Sequence, residues 1–327
     1  MIFPLLNGIL GFSKAPATWG LFFINLLFLI MSMEQPKSFE LNMKKLFDDK
    51  YFVATQTNLY LDYMGKNQYL YGDLHKNLYK KAKSGSKDQI EILGQLAFKD
   101  KKFIDWALAT KPYADVVAFE YWQKNIKEIL YLQKTNMSYK MGVSLNDFSF
   151  ARWFSYQFIH SGFMHFFGNM IFLLIFGCAL EPVIGVFGFL LAYLGSGILG
   201  AGVFLLFSGP SVAPLVGASG AVSGIMALFA LLYAHRKVKF IWFVGFSESL
   251  SGVVYLPAWI SFFMWLVSDL AGFISSSEEL GGIAYSAHLG GEMTGAIIGI
   301  ILFFTRYGNW DDLFAHQDES SATKTIG

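Results

Sequence analysis

The chain has 327 residues, of which 54% are hydrophobic and only 15% are charged. Soluble domains carry about 25% charged residues, so this composition favours a membrane protein. The net charge of +1 gives no reason to expect a nucleic-acid partner, and the single cysteine, Cys178, excludes an intrachain disulfide. No pattern of ligating residues predicts a metal ion or a cofactor.

Six apolar segments are candidates for membrane spans, since a bilayer core about 30 Å thick requires roughly 20 helical residues. They cover 17–33, 154–180, 183–207, 212–234, 253–275 and 281–305. A cleaved signal peptide is the alternative interpretation of the first segment. Its apolar run is long for a signal peptide, however, and it shows no clear cleavage site with two small residues.

Basic residues in the short connections predict the orientation. Six spans place both termini on one side of the membrane, and Lys14, the connection His235–Lys239 and Arg306 all fall on that side. The positive-inside rule makes it the cytoplasmic side. We therefore expect an integral protein of a bacterial inner membrane with both termini in the cytoplasm and residues 34–150 outside.

The segment between the first two predicted spans differs from the rest of the chain. Residues 34–150 hold 18 of the 25 basic and 14 of the 24 acidic residues. Apolar residues recur in this segment at helical spacing, at Phe119, Trp122, Ile126, Ile129 and Leu130 and at Ile90, Leu93 and Ala97. We predict a mainly helical extramembrane insertion over 34–150, between a first part at 1–33 and a membrane core at 151–305, with a tail at 306–327.

Polar side chains in the apolar segments are costly and need a reason, and seven of them are candidates for a site. They are His160, His165, Asn169, Ser219, Asp269, His288 and Glu292. Small residues flank Ser219 in the sequence Gly217-Ala218-Ser219-Gly220, which leaves its hydroxyl open at a predicted helix start. The free N–H groups of such a helix start can bind an oxyanion. The alternative is a packing motif, because Ser219, Ser223 and Ala227 recur every four residues.

His288 adjoins a stripe of small residues formed by Ala284, Ala287, Gly291, Gly295 and Gly299. If the fourth and sixth spans pack through their small residues, Ser219 and His288 come within hydrogen-bond reach, and the histidine can act as a base for the serine. The alternative is a hydrogen bond between helices. His165 and Asn169 lie one helical turn apart and can both donate to an oxyanion.

Together these motifs resemble the rhomboid intramembrane serine proteases. The resemblance rests on Gly217–Gly220, on His288 with Gly291 and Gly295, and on His160, His165 and Asn169 at spacings of five and four. Arg152, eight residues before His160, matches the arginine of that family's tryptophan–arginine motif. The resemblance covers 151–305 well and the first span loosely. It implies an all-α polytopic membrane protein with a six-helix rhomboid-like bundle.

The resemblance also implies roles for individual residues. Ser219 is the nucleophile and His288 the general base, while His165, Asn169 and the Ser219 N–H bind the oxyanion. His160 and Arg152 organise the second span and the loop before it, and Trp265 lies near a lateral gate formed by the fifth span. The expected partners are the lipid bilayer and membrane-protein substrates, which are cleaved in or beside a transmembrane segment by a Ser–His dyad.

Three positions depart from the family pattern. Ala151 occupies the tryptophan position, Ser223 stands where some members carry a tyrosine that stacks on the base histidine, and Glu292 follows His288 by one turn. Glu292 either orients His288 or is a protonated carboxyl satisfied within the bundle. Two other functions stay open at this point. One is an inactive relative that binds membrane proteins, and the other is a channel or transporter with Asp269 and Glu292 along an ion path.

Overall fold

The computed structural model describes residues 2–5, 12–33, 38–85, 87–98, 100–109, 115–145, 149–208, 214–234, 237–243, 251–275 and 283–307, and most of them are helical. Within these described ranges, four helices are long and apolar enough to cross a membrane: α1 (Pro16–Met33), α10 (Phe163–Phe207), α12 (Ala258–Ser275) and α13 (Tyr285–Leu302). The apolar helix α11 (Ser219–Leu232) is shorter. Large apolar side chains such as Phe187, Leu206 and Ile274 are exposed on this bundle, as expected for contact with lipid.

Helix α10 turns back on itself at Gly185, whose φ of 76° and ψ of 163° are not helical. A Cβ atom added at Gly177 would lie 3.0 Å from Cζ of Phe189. Twelve residues of continuous helix would separate the two positions by about 18 Å. The two halves of α10 therefore lie against each other, and the break lies a few residues after the predicted boundary between 180 and 183.

The buried Glu181 holds the start of α1 against this turn. Its carboxylate accepts hydrogen bonds from the N–H groups of Ala17 (2.8 Å) and Thr18 (2.7 Å) and from the Thr18 hydroxyl (2.7 Å). The first N–H groups of a helix have no partner within the helix, and they carry its positive dipole end. By donating to the Glu181 carboxylate, these N–H groups offset the cost of burying it.

Helices α11 and α13 meet through glycines. A Cβ atom added at Gly291 would overlap the carbonyl oxygen of Gly220, and one added at Gly295 would overlap that of Gly224. The predicted packing of these two helices through their small residues is therefore confirmed. Side chains larger than hydrogen at either position would force the helices apart.

Residues 38–141 form a unit with its own hydrophobic core, which we call the helical subdomain. Its helices are α2 (Ser38–Asp48), α3 (Lys50–Lys66), α4 (Asp73–Lys83), α5 (Lys87–Ala97), α6 (Lys101–Ala109), α7 (Val116–Thr135) and α8 (Met137–Met141). Trp122, Tyr60, Phe103 and Leu93 are among its fully buried side chains. The helical faces predicted from apolar spacing are buried or partly buried in this core.

A three-stranded antiparallel sheet is the main departure from the prediction. It joins β1 (Ile2–Leu5), β2 (Lys237–Phe243) and β3 (Ser251–Pro257) in that order, with Pro4 opposite Phe240 and Phe240 opposite Val254. The expectation of an all-α chain is wrong here. The predicted basic connection at 235–239 contains only the start of β2, and the predicted span at 253–275 contains most of β3. Short runs of β-branched and aromatic residues favour strands at both places. The pairing of β1 with β2 places the segment before α1 and the segment after α11 on one side of the bundle.

Candidate active site

Five of the predicted site residues line one cavity of about 620 Å³. They are Ser219 on α11, His288 on α13, His165 and Asn169 on α10, and Trp265 on α12. The cavity is thus built from four helices of the apolar bundle.

Ser219 is the first residue of α11, which begins later than the predicted span at 212–234. The chain reaches it through Gly217, which has a φ of +120° and donates its N–H to the carbonyl of Tyr156 at 3.0 Å. The first intrahelical hydrogen bond runs from Val222 to Ala218. The N–H groups at the start of α11, including that of Ser219, are therefore not used within the helix.

His165 packs against the backbone just before the serine. A Cβ atom added at Gly217 would lie 2.7 Å from Cε1 and 2.8 Å from Nε2 of the His165 ring. The other ring nitrogen, Nδ1, lies 3.0 Å from the Ser161 hydroxyl. This close approach explains why residue 217 is a glycine, quite apart from its positive φ.

Asn169 and His160 differ in part from the prediction. The Asn169 amide lines the cavity but donates to the carbonyl of His165, one turn earlier, at 3.0 Å. His160 precedes α10 instead of lying on the second span, because the helix begins only at Phe163. Its buried ring is 5.1 Å from that of His165. Arg152 begins the short helix α9 (Arg152–Ser155), and neither Arg152 nor His160 belongs to the cavity lining found among the described residues.

His288 is held by a residue whose role the sequence left open. Its Nδ1 lies 3.0 Å from Oδ2 of Asp269 on α12, and both side chains are buried. Glu292, which we considered for this position, faces Asp269 as well. The sequence held one signal for the pair of His288 and Asp269. Helices α10–α13 contain no lysine or arginine that could neutralise Asp269, which leaves a histidine as its partner. Within the described part of the chain, no hydrogen bond joins the Ser219 hydroxyl to His288, although both line the cavity.

Aromatic rings complete the surroundings of His288 and Trp265. The Tyr285 ring lies 6.2 Å from that of His288, edge-on, on the same helix. The expected tyrosine is missing at Ser223, but Tyr285 approaches the histidine from another position. Trp265 contacts Phe172 edge-to-face at 5.1 Å and lies one turn before Asp269.

The helical subdomain also reaches the cavity, which the sequence did not predict. Ser138 and Tyr139 of α8 line it. Burial raises the pKa of Tyr139, so its phenol stays neutral at physiological pH. Just after α8, Val143 and Leu215 exchange backbone hydrogen bonds of 3.0 and 2.7 Å, four residues before Ser219.

Comparison with known proteins agrees with this geometry. The family model of the Rhomboid domain matches residues 147–305, which include every residue of the bundle that lines the cavity. Residues 147–305 therefore form a rhomboid domain. Together with the apolar helices, this domain makes the chain an integral membrane protein.

Several curated rhomboid proteins are similar to this chain. Rhomboid protein 1, mitochondrial, of Saccharomyces cerevisiae is 28% identical over 194 residues, or 57% of this chain and 50% of the relative. Rhomboid-like protein 11, chloroplastic, of Arabidopsis thaliana is 31% identical over 47% of this chain and 52% of the relative. Rhomboid-type serine protease 2 of Emericella nidulans is 33% identical over 42% of this chain and 26% of the relative. The chain spans about half the length, or less, of these relatives. The names of the first two place them in mitochondria and in chloroplasts, respectively.

Proposed function

We propose that this chain is an intramembrane serine endopeptidase that cleaves membrane proteins in or beside their transmembrane segments. Ser219 is the nucleophile and His288 the general base. One observation carries the proposal: in a rhomboid domain, two helices that meet through glycines bring a serine at a helix start and a buried histidine to the same cavity.

In the proposed reaction, His288 takes the Ser219 proton while the serine oxygen attacks the scissile carbonyl carbon. The oxyanion accepts hydrogen bonds from the Ser219 N–H and from the side chains of His165 and Asn169. His288 then protonates the leaving amine as the carbon–nitrogen bond breaks. A water molecule, deprotonated by His288, hydrolyses the acyl-enzyme and releases Ser219.

The Asn169 amide has a second N–H for this role. In the structure, one N–H donates to the carbonyl of His165 within the same helix. The Ser219 N–H is not used within α11, so it can also donate to the oxyanion. Apo active sites commonly tighten only when substrate is bound.

A six-span arrangement accompanies the proposal. It counts α1, the two halves of α10, α11, α12 and α13, and it is supported by the reversal at Gly185 and by the pairing of β1 with β2. With β1 and β2 on the cytoplasmic side, the cavity and the helical subdomain face outward. The proposed insertion is the segment 34–150 and the proposed catalytic core is 151–305. Most of the predicted tail, at 308–327, lies outside the described residues.

A substrate helix must open before attack, because its peptide bonds are hydrogen-bonded within the helix. Glycine or serine near the scissile bond lowers the cost of opening, by up to about 1 kcal/mol per residue for glycine relative to alanine. We therefore expect transmembrane segments with such residues near the outer end to be cleaved preferentially.

The test is cleavage of a model transmembrane substrate by the purified protein in detergent. Ser219→Ala and His288→Ala should each lower kcat by at least about 10³-fold, since members of such a unit fail together. Ser223→Ala is the matched control, because Ser223 lines the cavity one turn after Ser219 and has no part in the proposed chemistry. Cleavage that survives Ser219→Ala would contradict the serine mechanism. A wild type that binds the substrates without cleaving them would instead support an inactive relative.

A further inference from the structure

His288 and Asp269 form a buried pair, which adds a third residue to the proposed mechanism of Ser219 and His288. The two side chains are only 9% and 6% exposed, and their atoms Nδ1 and Oδ2 are 3.0 Å apart. An ionised carboxylate can only accept at this distance, so the imidazole carries its proton on Nδ1. The lone pair then lies on Nε2, which is the nitrogen that a base needs on the side away from Asp269.

We propose that Asp269 is a positioning residue that fixes the tautomer and orientation of His288, so that Ser219, His288 and Asp269 act as a unit. The inference rests on the proposed function. Asp269 itself does not line the cavity, so it acts through the histidine and not on substrate. When His288 takes the Ser219 proton from Nε2, the Nδ1 proton stays on the ring, and the carboxylate stabilises the imidazolium that forms.

Three other ionisable groups of the described residues lie near the pair. Glu292 faces Asp269 from the turn after His288, Tyr285 approaches His288 from the turn before it, and His165 interacts with His288 across the cavity. A buried carboxylate is costly unless it is paired and hydrogen-bonded. Since α10–α13 contain no lysine or arginine, the Nδ1–H of His288 is the hydrogen-bond donor that Asp269 has in this contact.

The packing of α12 on α13 gives the pair a fixed geometry. Gly272 follows Asp269 by three residues and Tyr285 precedes His288 by three, so the two contacts lie one turn apart on the same interface. A Cβ atom added at Gly272 would overlap the Tyr285 ring, which shows how close α12 comes to α13. A short acid such as aspartate therefore spans the gap to the imidazole.

The decisive comparison is Asp269→Asn against Glu292→Gln in the full-length protein in detergent. Each variant exchanges one carboxyl for an amide of equal size in the same buried cluster. We expect Asp269→Asn to lower kcat by about 10²-fold or more with KM within about threefold of wild type, because the amide no longer selects the Nδ1–H tautomer. Glu292→Gln should stay within about threefold of wild type in both constants. Thermal unfolding of both variants should match wild type within a few degrees.

A measurement that does not need turnover separates this inference from the proposed function. In protein labelled with ¹⁵N-histidine, the signals lost in His288→Ala identify the His288 ring, and they should report the Nδ1–H tautomer in wild type and its loss in Asp269→Asn. Equal losses of activity in the two variants, or an unchanged His288 tautomer in Asp269→Asn, would overturn the role of Asp269. A wild type without cleavage but with the Nδ1–H tautomer would contradict only the protease assignment.

Discussion

Gly217 sets the distance between His165 and the start of α11. Its positive φ strains any residue with a side chain, and the His165 ring fills the space in which a Cβ atom would lie. A Cβ atom at residue 217 would therefore strain the backbone and displace the ring of His165, a proposed oxyanion donor, at the same time.

We predict that Gly217→Ala lowers kcat/KM by at least about tenfold and the free energy of unfolding by about 1–3 kcal/mol, because the backbone is strained and the His165 ring is displaced. Gly195→Ala in α10 is the control, since a Cβ atom there meets nothing within 4 Å. Cleavage assays and thermal unfolding in detergent measure the two effects. Wild-type activity in Gly217→Ala would show that the position of His165 does not matter.

At the level of single residues, the sequence predicted what depends on local pattern. Ser219 and His288 stand out because each is polar in an apolar run beside small residues. The partner of His288 could not be predicted, because Asp269 and Glu292 were both acids within reach. Only the rotation of α12 relative to α13 decides between them, and that rotation follows from side-chain packing along the whole interface.

At the level of elements, the glycine contact between α11 and α13 determines whether the two halves of the site meet. Gly291 and Gly295 face the carbonyl oxygens of Gly220 and Gly224, so the two backbones touch over a full turn. The serine and the histidine lie at one end of this contact. If α11 and α13 are forced apart anywhere along this contact, Ser219 and His288 are displaced relative to each other.

Gly295→Val tests this dependence, because residue 295 lies two turns from His288 and does not line the cavity. We expect a loss of about 1–3 kcal/mol in unfolding free energy from overpacking. The kcat should also fall, since small errors in the placement of reacting groups slow catalysis strongly. Gly20→Ala in α1, where the added atom has open space, should leave both unchanged. Full activity in a destabilised Gly295→Val would separate the packing of these helices from the catalytic geometry.

Among the elements, the long apolar helices were predictable because each satisfies its own backbone hydrogen bonds in lipid. The sheet was not, since β1 and β2 pair across more than 230 residues, and no local signal marks such a contact. The start of α10 was misplaced for a related reason. Phe158 and Ile159 extend the apolar run ahead of α10, but residues 156–158 form a 3₁₀ turn and the backbone is extended at Ile159.

At the scale of the whole molecule, the helical subdomain has a polar centre of its own. The buried Asp100 accepts hydrogen bonds from the hydroxyls of Tyr60 and Tyr71 and from the N–H of Phe103 at the start of α6. Burial and the charge of Asp100 raise the pKa of Tyr60, and burial, Tyr60 and Asp100 raise that of Tyr71. Both phenols are therefore neutral in the folded subdomain.

These raised pKa values predict alkaline unfolding of the subdomain. A phenol whose pKa is higher in the folded state contributes stability that is complete below its unfolded pKa of about 10 and is lost as the pH rises above it. We expect the helical circular dichroism to fall together with the ionisation of Tyr60 and Tyr71, followed by absorbance at 295 nm. Subtracting the titration of a Tyr60→Phe/Tyr71→Phe variant isolates their signal. Ionisation of both phenols before any change in helicity would contradict the prediction.

The helical character of residues 38–141 followed from apolar spacing, and so did the faces that are buried. The contact between the helical subdomain and the site could not be predicted from apolar spacing. Val143 and Leu215 are far apart in sequence and pair through backbone atoms, which leave no pattern in side chains. The presence of Ser138 and Tyr139 in the cavity could not be predicted either, because it depends on how the short helix α8 is placed against the bundle.

The pair between Val143 and Leu215 gives the protein a mechanical connection. Hydrogen bonds of 2.7 and 3.0 Å are lost when the backbones separate by much more than about 0.5 Å. Only three residues separate Leu215 from Ser219, and one of them, Gly217, is held by contacts with Tyr156 and His165. A force that pulls on the helical subdomain is therefore transmitted through this pair to the backbone segment 215–219, which holds Ser219 in place.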